Sequence, residues 1–302
     1  MPASNLARPN CLIVGAAKAG TTTLFQVLAG HPDVCVSSVK ETGFFSHDAR
    51  YARGLDWYAR EYFGHAKGEA VRIEASPAYL TWSDKVAGRI RQSYERHAVK
   101  LVVILRDPVA RAHSHYWHRV RQGHEPLSFP DALAQEESRL SEHWEQLSRD
   151  GNGKFGYFRA GCYATRLAPF VEHFDREDLH VLLQEDLAQD RFAQTMAQLL
   201  GFLQIDSTVR LETARMNAPD RPRSATAAEA HRRLKQTFLR SVYLGLVPVP
   251  VRRVIRNTLF APATYPPIDP GLARDLRERY AAEVSACATL IGRDLSQWLP
   301  PR

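Results

Sequence analysis

Apolar positions along the chain fall into two alternating patterns. Short continuous runs occur at Leu12-Ile13-Val14 and Leu101 to Leu105, and Leu179 to Leu183 is a further strand interrupted only by His180. Runs of this length, apolar throughout, read as strands buried on both faces of a parallel sheet. Val34 to Val36 and the alternating Val71-Arg72-Ile73-Glu74 add two shorter strands. Between these runs the spacing changes to that of a helix. Leu24, Val27 and Leu28 share one face, with Gly30 and Pro32 as a stop. Further helices are expected from a Ser83 cap to about Arg96, from Pro108 to about Gln122, from about Tyr163 to Phe174, and from Phe192 to Leu203. The aromatic-rich residues 50–65 predict one short helix, and the polar stretch 125–155 is expected to be helical around Phe129 to Leu147. Strand and helix in alternation define an α/β fold: a P-loop-like central parallel sheet flanked by helices on both faces. Leu272, Leu276, Tyr280, Val284, Cys287 and Ile291 then form an amphipathic stripe closed by Gly292, which makes the C-terminal extension mostly helical. The pattern predicts one domain over 1–302, with an α/β core at 10–205 and loops and helices at 206–302 completing the site. It contains no internal repeat.

The most informative stretch is Cys11 to Gly30, CLIVGAAKAGTTTLFQVLAG. Strand, glycine-containing loop and helix in succession aim backbone N–H groups at a phosphate. Gly15, Gly20 and Thr22 keep the spacing of the Walker A motif, G-x-x-x-x-G-K-[ST], but Thr21 stands in the lysine position and the lysine, Lys18, lies inside the loop. A lysine moved upstream suits a donor with one phosphate in the loop and a cation over the next atom. The plain alternative is a flexible strand-to-helix turn. A second candidate follows the strongest strand. There Arg106-Asp107-Pro108 combines a cationic strand end with an N-cap and a first-turn proline. In parallel sheets ligands bind beyond the carboxyl ends of the strands, where both Lys18 and Arg106 fall.

Composition narrows the picture modestly. The 302 residues carry a net charge of +7, which favours an anionic ligand or surface without choosing among nucleotide, nucleic acid, acidic glycan and membrane. The four cysteines, Cys11, Cys35, Cys162 and Cys287, are widely spaced, as expected of reduced thiols in a cytoplasmic protein. MPASNLARPN has no apolar core of a secretory signal, and no uncharged run approaches a membrane span. No Cys/His/Asp cluster has metal-ligand spacing, so no metal is expected. No basic-aromatic motif points to nucleic acid, and nothing in the chain sets an oligomeric state.

Three segments together, GAAKAGTTTLFQVLAGHPDV, KETGFF followed by GLDWY, and LVVILRDPVARAHSHY, resemble the sulfotransferases that use 3′-phosphoadenosine 5′-phosphosulfate (PAPS). More narrowly, they look like the heparan-sulfate-type and bacterial carbohydrate branch. It runs in order from residue 10 to about 205. The resemblance implies that Lys18, Ala19, Gly20, Thr21, Thr22 and Thr23 hold the 5′-phosphosulfate, with Lys18 against the oxygen that bridges phosphorus and sulfur. It implies that Arg106 and Ser114 bind the 3′-phosphate and that Glu41 is the general base for an acceptor hydroxyl. Phe44 and Phe45 would then raise the Glu41 pKa by partial burial. PAPS is the implied sulfate donor and 3′,5′-bisphosphoadenosine (PAP) the product, with no metal. The implied acceptor is carbohydrate-like, taking the group on a hydroxyl or, secondarily, an amine.

The sequence also departs from that family. Where the glycan branch carries Glu-Lys-[Ser/Thr], this chain reads Glu74-Ala75-Ser76, so the lysine's role is not carried over and a heparan-like acceptor is put in doubt. The C-terminal nucleotide loop has its nearest equivalent in Arg221-Pro222-Arg223-Ser224, which nominates Arg223 and Ser224 for cofactor contact or for a basic surface loop. Other readings stay open. Glu41 can be a solvated partner of Lys40, and Arg106 can pair with Asp107. Tyr163 can line the acceptor cleft or pack in the core. His47, His113 and His115 are the remaining base candidates. The arginine-interleaved stretch 238–261 can be a packed excursion, a lid, a dimer surface or a peripheral membrane contact. Two other functions compete: a P-loop kinase and a non-catalytic polyanion binder.

Overall fold

The computed structural model describes residues 7–143, 145–147, 154–212, 220–222, 260–262 and 265–301. Two compact units divide the chain, one formed by 1–215 with 268–302 and the other by 216–267. The larger unit holds the central sheet, built from β1 (Cys11–Gly15), β2 (Val34–Val36), β3 (Val71–Ala75), β4 (Lys100–Leu105) and β5 (Leu179–Leu183). All neighbours run parallel in the order β2-β3-β1-β4-β5. The chain builds one side of β1 first and then crosses to the other at β4. The reversal leaves a crevice beyond the carboxyl ends of β1 and β4. Every residue of β1 is buried, as are five of the six in β4, which explains why both read as unbroken apolar runs.

Helices cover the sheet. In chain order they are α1 (Thr21–Leu28), α2 (Asp48–Tyr51), α3 (Gly54–Phe63), α4 (Ala78–Thr81), α5 (Ser83–Ser93), α6 (Pro108–Arg121), α7 (Phe129–Ala134), α8 (Glu136–Glu142), α9 (Tyr163–His173), α10 (Phe192–Phe202) and α11 (Pro270–Ile291). The one helix expected over 50–65 is two, because Gly54 adopts φ 79° at the junction. Ser83 is the first residue of α5 rather than its cap, and that helix stops at Ser93. The short α4 after Ser76-Pro77 was not legible as a helix. In α11 Leu276, Tyr280, Val284, Cys287 and Ile291 are all buried, and Gly292 ends the helix in the left-handed conformation. That helix packs on α9 and α6, so the C-terminal segment belongs to the larger unit's core. Within the smaller unit, β6 (Asp220–Pro222) and β7 (Phe260–Pro262) pair antiparallel, with Arg221 opposite Ala261. The remainder of the 238–261 stretch, and with it the lid, interface and membrane readings, lies outside the described residues.

Candidate active site at the carboxyl edge of the sheet

The phosphate-type loop is held by constraints that glycine alone can meet. A Cβ on Gly15, at the end of β1, would stand 2.5 Å from the Leu80 Cβ. Ala16 N–H donates to the Ile104 carbonyl at 2.7 Å, tying the loop to β4. Ala19 N–H donates to Ala16 at 3.2 Å, which closes the turn, while the Ala19 methyl is fully buried. Lys18 and Gly20 take left-handed backbone, φ 71° and 109°. Gly20 then serves as N-cap of α1 without a capping side chain. The first amides of α1, at Thr21, Thr22 and Thr23, therefore have no intrahelical partner and no side-chain cap. Thr21 is buried, and Thr22 and Thr23 are half-exposed. An uncapped helix start of this kind fits an anion.

Arg106 leaves β4 beside this loop. Its Nη1 donates to the Lys18 carbonyl at 3.1 Å, and its own carbonyl accepts from Tyr163 Oη at 2.8 Å. Burial lowers its pKa, a direction set by the crevice walls. The expected N-cap is present: Asp107 Oδ1 accepts from Val109 and Ala110 N–H at 2.8 and 3.1 Å. Its other oxygen pairs with Arg277 of α11 at 2.9 Å, and this takes the place of the Arg106–Asp107 ion pair that the sequence left open. Tyr163 is buried against Trp298 and braces the Arg106 carbonyl, so it packs in the core and does not line a cleft. Ser114 lies on the half-exposed stripe of α6, together with Ala110, His113, Trp117, His118 and Arg121.

Glu41 reaches the same edge from the loop that follows β2. Its N–H donates to the Ala75 carbonyl at 3.0 Å, and its φ is 65°. Only five non-glycine residues among those described have left-handed φ; Lys18 and Glu41 are two of them. Such backbone costs of order 1–3 kcal/mol per residue and persists where surrounding structure enforces it. The Glu41 carboxylate is 61% exposed and bonds to Lys40 Nζ at 2.7 Å. The expectation that Phe44 and Phe45 bury it is not met. Both rings turn inward and are fully buried, Phe44 stacked on Tyr58 at 4.2 Å and Phe45 edge-on to Tyr79 at 5.7 Å. They anchor the loop and leave its acid in solvent.

Sequence reasoning missed the support beneath that loop. Glu74, fully buried in β3, accepts a hydrogen bond from Ser76 Oγ, and Ser76 Oγ accepts from Gly43 N–H at 2.9 Å. Burial raises the Glu74 pKa, with Ser76 bonding opposing it. Arg50 donates to the Thr42 carbonyl from the other side. A carboxylate next to the short apolar end of a strand was the available signal.

The charges of the crevice converge on Lys18. Burial lowers its pKa to about 8; Arg121 adds to this, Glu41 opposes it, and Arg106 and Lys40 contribute in the lowering sense. The histidines have other environments. His115 is buried beside Tyr157 with its pKa held well below the usual range by burial and Arg111. His113 accepts from Trp117 Nε1 at 2.9 Å, and burial and then Arg106 lower its pKa. His47 is the N-cap residue of α2, with no side-chain cap bond. Arg223 and Ser224 lie outside the described residues. At the opposite end of the sheet the fold gathers His97, Asp175 and Asp178, a set that sequence spacing did not reveal. Arg96 and Lys100 already pair with those two aspartates, at 2.8 and 2.7 Å.

A strand, an uncapped glycine loop and an arginine at the neighbouring strand's end together offer donors and charge suited to an anion. The chain belongs to the sulfotransferase domain family, whose model matches residues 8–234. It is 30% identical over 179 residues to heparan sulfate glucosamine 3-O-sulfotransferase 5 of Mus musculus, a match covering 58% of this chain and 47% of that protein. The chain thus spans about half the length of the curated relatives it matches. It is 34% identical over 113 residues to the membrane-associated sulfotransferase kil1 of Dictyostelium discoideum, covering 37% of this chain and 23% of that one. A sulfotransferase structure from Alicyclobacillus acidocaldarius superposes with a TM-score of 0.70 at 29% identity, over 97% of this chain and 99% of the other. Among the described residues no helix is long and apolar enough to cross a membrane.

Proposed function

We propose that this protein is a PAPS-dependent sulfotransferase that moves a sulfuryl group to a hydroxyl of a carbohydrate-like acceptor. The observation that carries the reading is the meeting of Lys18, Arg106 and Glu41 at one edge of the sheet, two of them on left-handed backbone. In this reading the amides and hydroxyls of Thr21, Thr22 and Thr23 take the 5′-phosphate, together with the backbone of Ala19 and Gly20. Lys18 neutralises the bridging oxygen as the sulfur–oxygen bond breaks. Arg106 and Ser114 select the 3′-phosphate, the arginine through its permanent planar charge. By the resemblance alone, Arg223 and Ser224 are further candidates for nucleotide contact. Glu41 accepts the acceptor's proton, which requires it to exchange Lys40 for the incoming hydroxyl. No metal enters the chemistry. Family membership and the heparan sulfate relatives support a sugar acceptor; Ala75, which supplies no lysine, argues against transferring the heparan acceptor itself. Four unpaired cysteines suit a cytoplasmic setting. The kinase and polyanion-binder readings find no support in the family match.

The direct test is a thermal-shift titration with PAP, followed by sulfate transfer from PAPS across a panel of sugar acceptors. PAP at about 100 times its Kd should add about 2.7 kcal/mol of apparent stability. Saturating magnesium-ATP that stabilises the fold where PAP does not would refute the donor assignment.

A further inference from the structure

We infer that Arg121, at the far end of α6, contacts the oxygens of the sulfuryl group while it is transferred. The inference rests on the donor reading above and assigns a residue that the resemblance does not. Cations reach the crevice from the ends of β1 and β4, as Lys18 and Arg106. The end of β3 offers none, since Ala75 is buried and uncharged. The helix after Arg106 carries a further arginine. Arg121 lies seven residues beyond Ser114, two turns and about 10.5 Å along the axis, on nearly the same face. Both belong to the half-exposed stripe, whereas His115, Tyr116 and Arg119 between them are buried. Side chains on a helix lean toward its N-terminus. The Arg121 guanidinium therefore leans back along the stripe, in the direction of His118 and Ser114. Its Nη2 lies 3.1 Å from His118 Nδ1, one turn earlier on the same stripe. The electrostatics agree with this placement, because Arg121 weighs on the Lys18 ammonium more than Glu41, Arg106 or Lys40 does.

In the transfer, the acceptor oxygen forms a bond to sulfur as the bond from sulfur to the phosphate oxygen breaks. The electron pair of the broken bond stays on that phosphate oxygen, beside Lys18, and the acceptor proton goes to the Glu41 carboxylate. The three outer sulfuryl oxygens carry negative charge throughout. A guanidinium presents parallel donors to two of them at once, which an ammonium cannot do. Lys18 and Arg121 thereby divide the work between the bridging oxygen and the outer oxygens.

Calorimetric titration with PAPS and with PAP separates the roles without an acceptor, because only PAPS carries the sulfuryl group. R121M should weaken PAPS by about 10- to 100-fold, the range of a lost charge-assisted bond, and PAP by less than threefold. R121K should recover part of the loss. In R121M the pH above which PAP affinity falls should also move upward, since Lys18 loses its strongest repelling neighbour. Equal losses for the two nucleotides, or none for either, overturn the assignment of Arg121 alone. A wild-type protein that binds neither nucleotide overturns the donor reading, and this inference with it.

Discussion

The Lys18 ammonium offers the most quantitative test of the site. Its pKa falls from 10.5 to about 8, chiefly by burial and next by Arg121. At about 1.4 kcal/mol per pKa unit, holding this lysine charged costs the folded protein about 3 kcal/mol at neutral pH. The sign follows from proton counting. Between about pH 8 and 10.5 the unfolded chain keeps the proton and the folded chain has released it. Stability therefore rises with pH across that window, and below it the full penalty is present. K18M, which keeps most of the length of the side chain and removes the charge, should be more stable than wild type at pH 7 by up to about 3 kcal/mol. The gap should close as the pH approaches 10.5. Urea denaturation of both proteins at pH 7, 8, 9 and 10 measures this directly. Binding gives the mirror image. A phosphate over Lys18 favours the charged form, so PAP binding near pH 9 should take up a proton, visible as a buffer-dependent heat, and K18M should lose the uptake. A wild-type stability curve parallel to that of K18M from pH 7 to 10 would refute the argument, because it would mean that the ammonium is neither buried nor crowded by cations.

Four further outcomes are expected. E41Q should retain PAP affinity within threefold and lose at least about 100-fold in turnover, in keeping with removal of a general base; normal turnover would remove Glu41 from the mechanism. R106A should weaken PAP far more than 5′-AMP, and equal losses would sink the 3′-phosphate assignment. G15A should lower stability by about 1–3 kcal/mol, since its methyl meets Leu80 at 2.5 Å; a melting temperature equal to wild type would show that the loop can yield. D107A should cost about 1 kcal/mol through the lost cap alone. Restoring the cap with D107S, without the charge, should return most of it, and an unchanged denaturation midpoint in D107A would contradict the capping geometry.

Much of the framework was written in short-range pattern. The β1 and β4 runs, the Asp107-Pro108 helix start and the α11 stripe each announce themselves within one continuous stretch of chain, because burial on both sides of a strand, or on one face of a helix, is a local constraint. The strand-end positions of Lys18 and Arg106 followed from the same runs. What escaped was set by partners far apart in sequence. Phe44 and Phe45 had an apolar sink in Tyr58 and Tyr79, and no reading of KETGFF alone could tell whether they would cover Glu41 or turn from it. Asp107 chose Arg277 over the adjacent Arg106, and Tyr163 found the Arg106 carbonyl. The buried Glu74 makes sense only once Ser76 and Gly43 stand beside it.

The Asp107–Arg277 pair joins residues 170 positions apart and bears on how the protein is made. On the ribosome, which adds roughly 5–20 residues per second, the segment holding Arg106 emerges well ahead of α11. During that interval the helix that begins at Pro108 has its own cap but lacks the guanidinium that clasps it from outside. The nascent chain thus carries this helix with one of its two outer restraints missing for some seconds, until the last helix emerges.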